Sequence, residues 1–188
     1  MPIISVDLPW KEEVRGRRAL AVADAEANLR VELASEDNQL LELVHHSAGP
    51  GSIVLLDIPI GGEQLASSQH FRPIDRAMLR QGLPLLPVSQ ALARGRRLQE
   101  AVTRDNPGVQ VYEIYPYAVY KFLAYLREKG MLGYLAHGSL RNLLHDDFRR
   151  FRPPKYKREN NREKRLVNLR YVHSLLAGPD LGLRFAQH

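Results

Sequence analysis

The chain has 188 residues, a net charge of +6 and no cysteine. This length is typical of one domain with a sizeable core, and the absence of cysteine excludes disulfide frameworks, thiolate metal sites and thiol nucleophiles. No secretory signal or membrane span is expected: the first ten residues lack a basic start, and the longest uncharged stretch, residues 43–56, contains two His and three Gly/Pro residues. We therefore expect a single, soluble and cytoplasmic domain over residues 1–188.

The positive charge is concentrated near the end of the sequence. Residues 149–170 contain ten Lys/Arg and two Glu, a net charge of +8, so the rest of the chain carries −2. A local excess of this kind is typical of a surface that contacts a polyanion, although a solvated helix face after a charged loop has the same composition. We assign the basic segment 149–177 to the same domain.

In the first third of the chain, apolar alternation and turn residues predict a strand, a hairpin, a helix and a buried strand. The strands are expected at 2–8, 17–23, 28–33 and within 52–62, and the helix at 36–46. Ser35 is the expected N-cap of that helix, with Leu40, Leu41, Leu43 and Val44 directed inward.

The remaining pattern predicts helices, one further strand, and more helices. The helices are expected at 74–80, 89–104, 118–128, 139–148 and 161–177, and the strand at 109–114. Pro116 suits the first position of its helix, and Leu166, Leu169, Val172 and Leu176 are expected to face the core in the last helix. This order predicts an α/β fold: a mixed five-stranded sheet, three antiparallel strands followed by βαβα, with helices on both faces.

Three acids, Asp7, Asp57 and Glu113, stand at the carboxyl ends of three predicted strands. Such ends meet at one edge of a sheet, where α/β proteins bind ligands, and converging carboxylates need raised pKa values or divalent cations. Oxygen ligands suit Mg²⁺ or Mn²⁺. The sequence therefore predicts a metal site in which the ion activates water for attack on phosphorus.

Four segments carry a resemblance to a known family. They are ISVDLPWK at 4–11, LLDIPIG at 55–61, the Arg72/Asp75 pair, and VYEIYPYAVYKFL at 111–123. The chain is similar to the domain-of-unknown-function 429 family, predicted nucleases of the ribonuclease H-like superfamily. The resemblance implies that fold and metal-dependent hydrolysis of phosphodiester bonds, with Asp7, Asp57 and Glu113 as metal ligands. It further implies that Arg72 contacts phosphate and Asp75 orients it; a structural salt bridge at a helix start is the alternative for that pair.

The chain departs from the superfamily in its last helix, where an additional acid normally completes the site. That helix offers only Glu163. Substitution by Glu163, Glu159 or Asp180, a truncated sequence, and an incomplete site all remain open.

The basic element before the last helix is Lys155, Tyr156, Lys157 and Arg158. Its cations suit the phosphates of DNA or RNA, and Tyr156 suits stacking on a base. A nuclease is the leading hypothesis. A non-catalytic nucleic-acid-binding or adaptor protein on the same fold is its rival. The third is a structural protein whose acids pair with arginines such as Arg72 and Arg141.

Overall fold

The computed structural model describes residues 1–9, 18–61, 70–83, 85, 87–133, 146–155, 160–179, 181 and 183–185. The chain forms two compact units. Unit 1 comprises Met1–Arg76, Leu85–Tyr115 and Phe185–His188, and unit 2 comprises Ala77–Pro84 and Pro116–Arg184. The assignment of one domain to residues 1–188 stays a prediction.

Unit 1 is built on a mixed, open sheet. Its strands are β1 (Ile3–Asp7), β2 (Arg18–Ala23), β3 (Asn28–Ala34), β4 (Ile53–Leu56) and β5 (Gln110–Glu113). The sheet order is β5-β4-β1-β2-β3-β6, in which β6 is a two-residue strand (Arg184–Phe185) that contributes Phe185 to unit 1. β1, β2 and β3 are antiparallel neighbours, while β4 and β5 run parallel to β1. The predicted order of five strands and the α/β class are confirmed; β6 was not predicted.

Strand register assigns each residue to one face of the sheet. Val6 pairs with Leu56, and Leu56 pairs with Glu113, so these three side chains share a face. Val6 and Leu56 are buried there in the core of unit 1. Asp7 follows Val6 within the same strand, so it projects from the opposite face.

Helices α1 (Asp37–Ser47) and α3 (Leu92–Asp105) cover the face that Val6 and Leu56 share. They contribute Leu40, Val44, Leu98 and Val102 to one core with the inward residues of β1, β2 and β4. Between β4 and α3 lie α2 (Pro73–Arg80) and a short 3-10 helix, Val88–Gln90. The prediction of helices on both faces of the sheet stays a prediction.

Unit 2 is helical, with α4 (Pro116–Glu128), α5 (Asp146–Arg150) and α6 (Arg162–Leu176). Tyr125 of α4 is central to its core. The Tyr125 ring lies edge-on to the rings of Phe148 and Phe151, with centroids 5.3 and 5.6 Å away, and its hydroxyl donates to Asp147 at 2.5 Å. Pro116 occupies the first position of α4, as predicted.

Two details of the predicted helices are wrong. Glu36, not Ser35, is the N-cap residue of α1; the backbone N–H of Ser35 donates to the Gln39 side chain. Leu166 and Leu169 of α6 are 47% and 43% exposed, whereas Leu175 is the buried residue. Apolar residues occur nearly all round α6, so periodicity alone does not identify its inward face.

No helix in the described parts of the chain is long and apolar enough to cross a membrane.

Candidate site at the carboxyl edge of the sheet

The three predicted metal ligands all lie at or beside the carboxyl edge formed by β1, β4 and β5. Asp7 is the last residue of β1 and is exposed; Asp57 follows β4, is half-buried, and donates its N–H to the Val6 carbonyl at 2.9 Å. Glu113 ends β5 one register step before Asp57, because its partner is Leu56. Asp7 and Asp57 directly follow Val6 and Leu56, which pair with each other. Glu113 pairs with Leu56 itself, so its side chain lies on the face that the helices cover.

Glu113 is bound by a buried arginine. Arg72, 4% exposed, donates to both Glu113 oxygens, from Nη2 to Oε1 at 2.5 Å and from Nη1 to Oε2 at 2.7 Å. The Ile60 N–H donates to Oε2 at 3.0 Å. This bidentate, charge-assisted geometry is the strong form of an arginine–carboxylate pair.

The same guanidinium binds a second carboxylate. Asp75, fully buried, accepts from Arg72 Nε and Nη2 at 2.9 and 2.8 Å. The Tyr115 hydroxyl donates to Asp75 at 2.9 Å and accepts from Arg72 Nη2 at 2.9 Å. Arg72, Asp75, Glu113 and Tyr115, hereafter the Arg72 network, thus satisfy one another's buried polar groups.

The start of α2 explains why the network forms locally. Pro73 occupies the first helical position, where its missing N–H costs nothing. Asp75 lies at the third position and accepts the Arg72 backbone N–H at 2.8 Å, one half of a capping box. The helix start therefore holds the Arg72 backbone and side chain with one carboxylate.

The network shifts the pKa values of its members. Although burial alone would raise the pKa values of Glu113 and Asp75, the hydrogen bonds from Arg72 hold both below their usual range. The hydrogen bond to Glu113 raises the pKa of Arg72, and burial raises the pKa of Tyr115. Both carboxylates are therefore ionised at neutral pH, and Arg72 offsets one of their two negative charges.

The loop after β4, residues 57–61, is held from several sides. Arg72 Nη1 donates to the Gly61 carbonyl at 2.7 Å, and Ile60 donates to Glu113. From α3, Gly95 approaches so closely that a Cβ there would lie 2.0 Å from the Pro59 carbonyl oxygen. The loop that carries Asp57 is thus contacted by Arg72, by α3 and by Glu113 of β5.

In the part of the chain that the structure describes, the three predicted ligands do not form one cluster, and the expected metal site stays a prediction. Both Glu113 oxygens accept hydrogen bonds from a guanidinium, and Glu113 and Asp7 lie on opposite faces of the sheet. Among the residues that the structure describes, no group of three or more His, Asp or Glu side chains could hold a metal ion. The sequence located the edge but not the face, because strand-end position carries no information on register.

The basic segment belongs to unit 2. Eight of its ten cations lie in the described ranges and all eight are exposed: Arg149, Arg150, Arg152, Lys155, Arg162, Lys164, Arg165 and Arg170. Its backbone is held in place, since the Pro154 carbonyl accepts from Tyr120 at 2.7 Å and the Lys155 carbonyl from Asn168 at 2.6 Å. Asn161 caps α6 by accepting the Lys164 N–H at 3.0 Å.

The other predicted site residues are placed as follows. Tyr156, Lys157 and Arg158 lie outside the described residues. Glu163 is exposed in the first turn of α6, and its role as a further acid stays a prediction. Arg72 donates to Asp75, Glu113 and the Gly61 carbonyl, all within the protein. These bonds favour the structural salt bridge with Asp75 over the predicted contact with phosphate.

The structure also identifies two residues that pattern reading missed. Tyr115 joins the Arg72 network, and Lys121 is fully buried in unit 2. Tyr115 lies two residues after Glu113, and this short spacing was the available indication that it joins the network. A lysine within an otherwise apolar helix stretch was the available indication for Lys121.

Compared with protein-family models, curated proteins and solved structures, the chain matches none. The resemblance to the predicted nuclease family stays a prediction.

Proposed function

We propose that this protein binds nucleic acid through the basic segment of unit 2, on a ribonuclease H-like fold. The observation that carries the proposal is the run of eight exposed Lys and Arg side chains between Arg149 and Arg170. Lysine and arginine bind phosphates and release counterions, which provides most of the free energy of sequence-independent binding.

The backbone contacts of the segment favour binding over a merely solvated surface. Tyr120 and Asn168 hold successive carbonyls of the loop between α5 and α6, so Lys155 projects from a fixed position. A cation that is already positioned loses less conformational freedom when it meets a phosphate. The segment is therefore preorganised to bind a polyanion.

Metal-dependent nuclease activity is the second candidate. The observation in its favour is that Asp7 and Asp57 follow paired residues on neighbouring parallel strands. Against it, Glu113 is engaged by Arg72. The experiment below compares DNA with RNA.

The experiment measures binding and cleavage together. Fluorescently labelled single-stranded DNA and RNA are titrated with the wild-type protein and with the triple variant Arg162→Gln, Arg165→Gln, Arg170→Gln. A control triple variant, Arg30→Gln, Arg97→Gln, Arg104→Gln, removes the same charge from exposed positions in unit 1. Each mixture is also incubated with Mn²⁺ and compared with Asp57→Asn.

We expect the α6 variant to lose roughly tenfold or more in affinity at low salt and the control variant to change little. Equal losses in the two triple variants would contradict the proposed surface. Cleavage by wild type that Asp57→Asn abolishes would establish the second candidate instead.

A further inference from the structure

Unit 2 contains an apolar cleft of about 350 Å³. This volume lies at the lower end of the range of small-molecule sites, about 300–1,000 Å³. Two aromatic rings, Phe122 and Phe148, form part of its wall, with ring centroids 6.3 Å apart. The other lining residues come from α2, the turn that follows it, and α4: Ala77, Met78, Gln81, Leu83 and Ala118.

A buried lysine, Lys121, contacts several of the segments that form the cleft. The Lys121 ammonium, in α4, donates to the carbonyls of Gln81, Gly82 and Arg149 at 3.4, 3.2 and 3.4 Å. It also lies 4.5 Å from the centroid of the Phe148 ring. Three backbone acceptors match the three protons of an ammonium, so Lys121 links α4 to α5 and to the turn at Gln81 and Gly82 within unit 2.

Positive charge borders the cleft. Arg80, exposed, directly precedes Gln81, and Arg149, also exposed, directly follows Phe148. Arg149 packs on Gly82: a Cβ there would lie 2.5 Å from the Arg149 carbonyl oxygen and 3.4 Å from its Cγ. An apolar, partly aromatic cleft thus lies beside two exposed guanidinium-bearing residues.

We propose that this cleft receives an unpaired base of a nucleic-acid strand whose phosphates contact Arg80 and Arg149. Aromatic and apolar walls suit the face of a base, and bordering cations suit the phosphates on either side of it. A base inside a duplex is stacked and paired, so it cannot enter the cleft without leaving the helix. The inference rests on the proposed function and deepens it, from nucleic acid in general to single strands.

The experiment separates base binding from phosphate binding. A labelled single-stranded oligonucleotide, an abasic strand with the same number of phosphates, and the duplex of the same sequence are each titrated. Ala77→Leu partly fills the cleft, and Ala93→Leu makes the same change at an exposed helical position of α3 as the matched control. Ala118→Leu, on the α4 wall, is a second filling variant, and circular dichroism checks that each variant folds.

We expect the normal single strand to bind roughly tenfold more tightly than the abasic strand. Ala77→Leu and Ala118→Leu should remove that difference without weakening abasic binding, while Ala93→Leu retains it. Equal affinity of wild type for the normal and abasic strands would contradict base binding in the cleft. A tenfold difference that both filling variants retain would contradict it as well. Tighter binding of the duplex would also overturn it. Failure of the proposed function is distinct, because all three nucleic acids would then bind equally to wild type and to the Arg162→Gln, Arg165→Gln, Arg170→Gln variant.

Discussion

At the scale of single residues, Arg72 is the group on which the sheet edge depends. It pairs with both Asp75 and Glu113 and also donates to the Gly61 carbonyl. Placing three charges in a protein interior carries a desolvation cost, which only a complete set of hydrogen bonds offsets. The network should therefore be sensitive to the loss of any one partner.

Replacing Glu113 with Gln keeps its shape but removes its charge. We expect Glu113→Gln to lower the free energy of unfolding by about 2 kcal/mol, because Arg72 loses a charge-assisted pair. Urea denaturation measures the change, and Glu100→Gln, at an exposed position of α3, is the control. If the free energy of unfolding falls no more than in the control, the charge of Glu113 does not contribute to stability through Arg72.

The pKa shifts give the network a pH dependence of known sign. The pKa values of Asp75 and Glu113 are lowered in the folded protein, so the unfolded chain binds more protons as pH falls. Their stabilisation is present above their unfolded values, about 4, and is lost as pH falls through the folded values. Between pH 6 and pH 2, the free energy of unfolding should therefore fall less steeply with decreasing pH for Glu113→Gln than for wild type. Parallel curves would contradict the assignment.

At the scale of elements, the sequence predicts what forms but not how elements face one another. Alternation and turn residues were sufficient to locate five strands and their order. The contact between Arg72 and Glu113 spans 41 residues and has no local pattern, so only the fold reveals it. Likewise, Leu166 and Leu169 of α6 were wrongly expected to face inward, whereas Val172 packs against the core of unit 2 as predicted. Leu166 and Leu175 are equally apolar, so only packing distinguishes them.

The close approach of α3 to the loop after β4 provides an element-scale prediction. Alanine normally stabilises a helix by about 1 kcal/mol relative to glycine. At position 95 the added Cβ would meet the Pro59 carbonyl at 2.0 Å, so we expect Gly95→Ala to destabilise the protein by about 2–3 kcal/mol instead. Thermal or urea unfolding measures the sign. Gly49→Ala, which meets no atom within 4 Å, is the control and should be nearly neutral; a stabilised Gly95→Ala would contradict the packing.

Lys121 provides the corresponding prediction for unit 2. Burial lowers the pKa of Lys121, yet its ammonium still satisfies carbonyls at the ends of α2 and α5, where the helix dipole favours a cation. We expect Lys121→Met to lower the unfolding free energy by about 1–3 kcal/mol, since three acceptors lose their donor. Lys155→Met, at an exposed lysine, should change it little. An unchanged melting temperature for Lys121→Met would mean that the ammonium does not hold the helices.

At the scale of the whole molecule, the net charge of +6 conceals an uneven distribution. Near the sheet edge, the internal Arg72 pairs with Asp75 and Glu113, whereas the described cations of the basic segment are exposed. Composition alone revealed the basic segment, since charge counts need no knowledge of folding. Composition did not reveal that Glu113 is held by Arg72, and this contact shifts the proposed function from catalysis to binding.

The most direct test of that proposal is the dependence of affinity on salt. For single-stranded DNA, the slope of log Kobs against log salt concentration should be clearly negative for wild type. It should become less steep by about 2 in the Arg162→Gln, Arg165→Gln, Arg170→Gln variant, because three phosphate contacts are lost. The same slope in wild type and variant, or binding that does not respond to salt, would contradict the account.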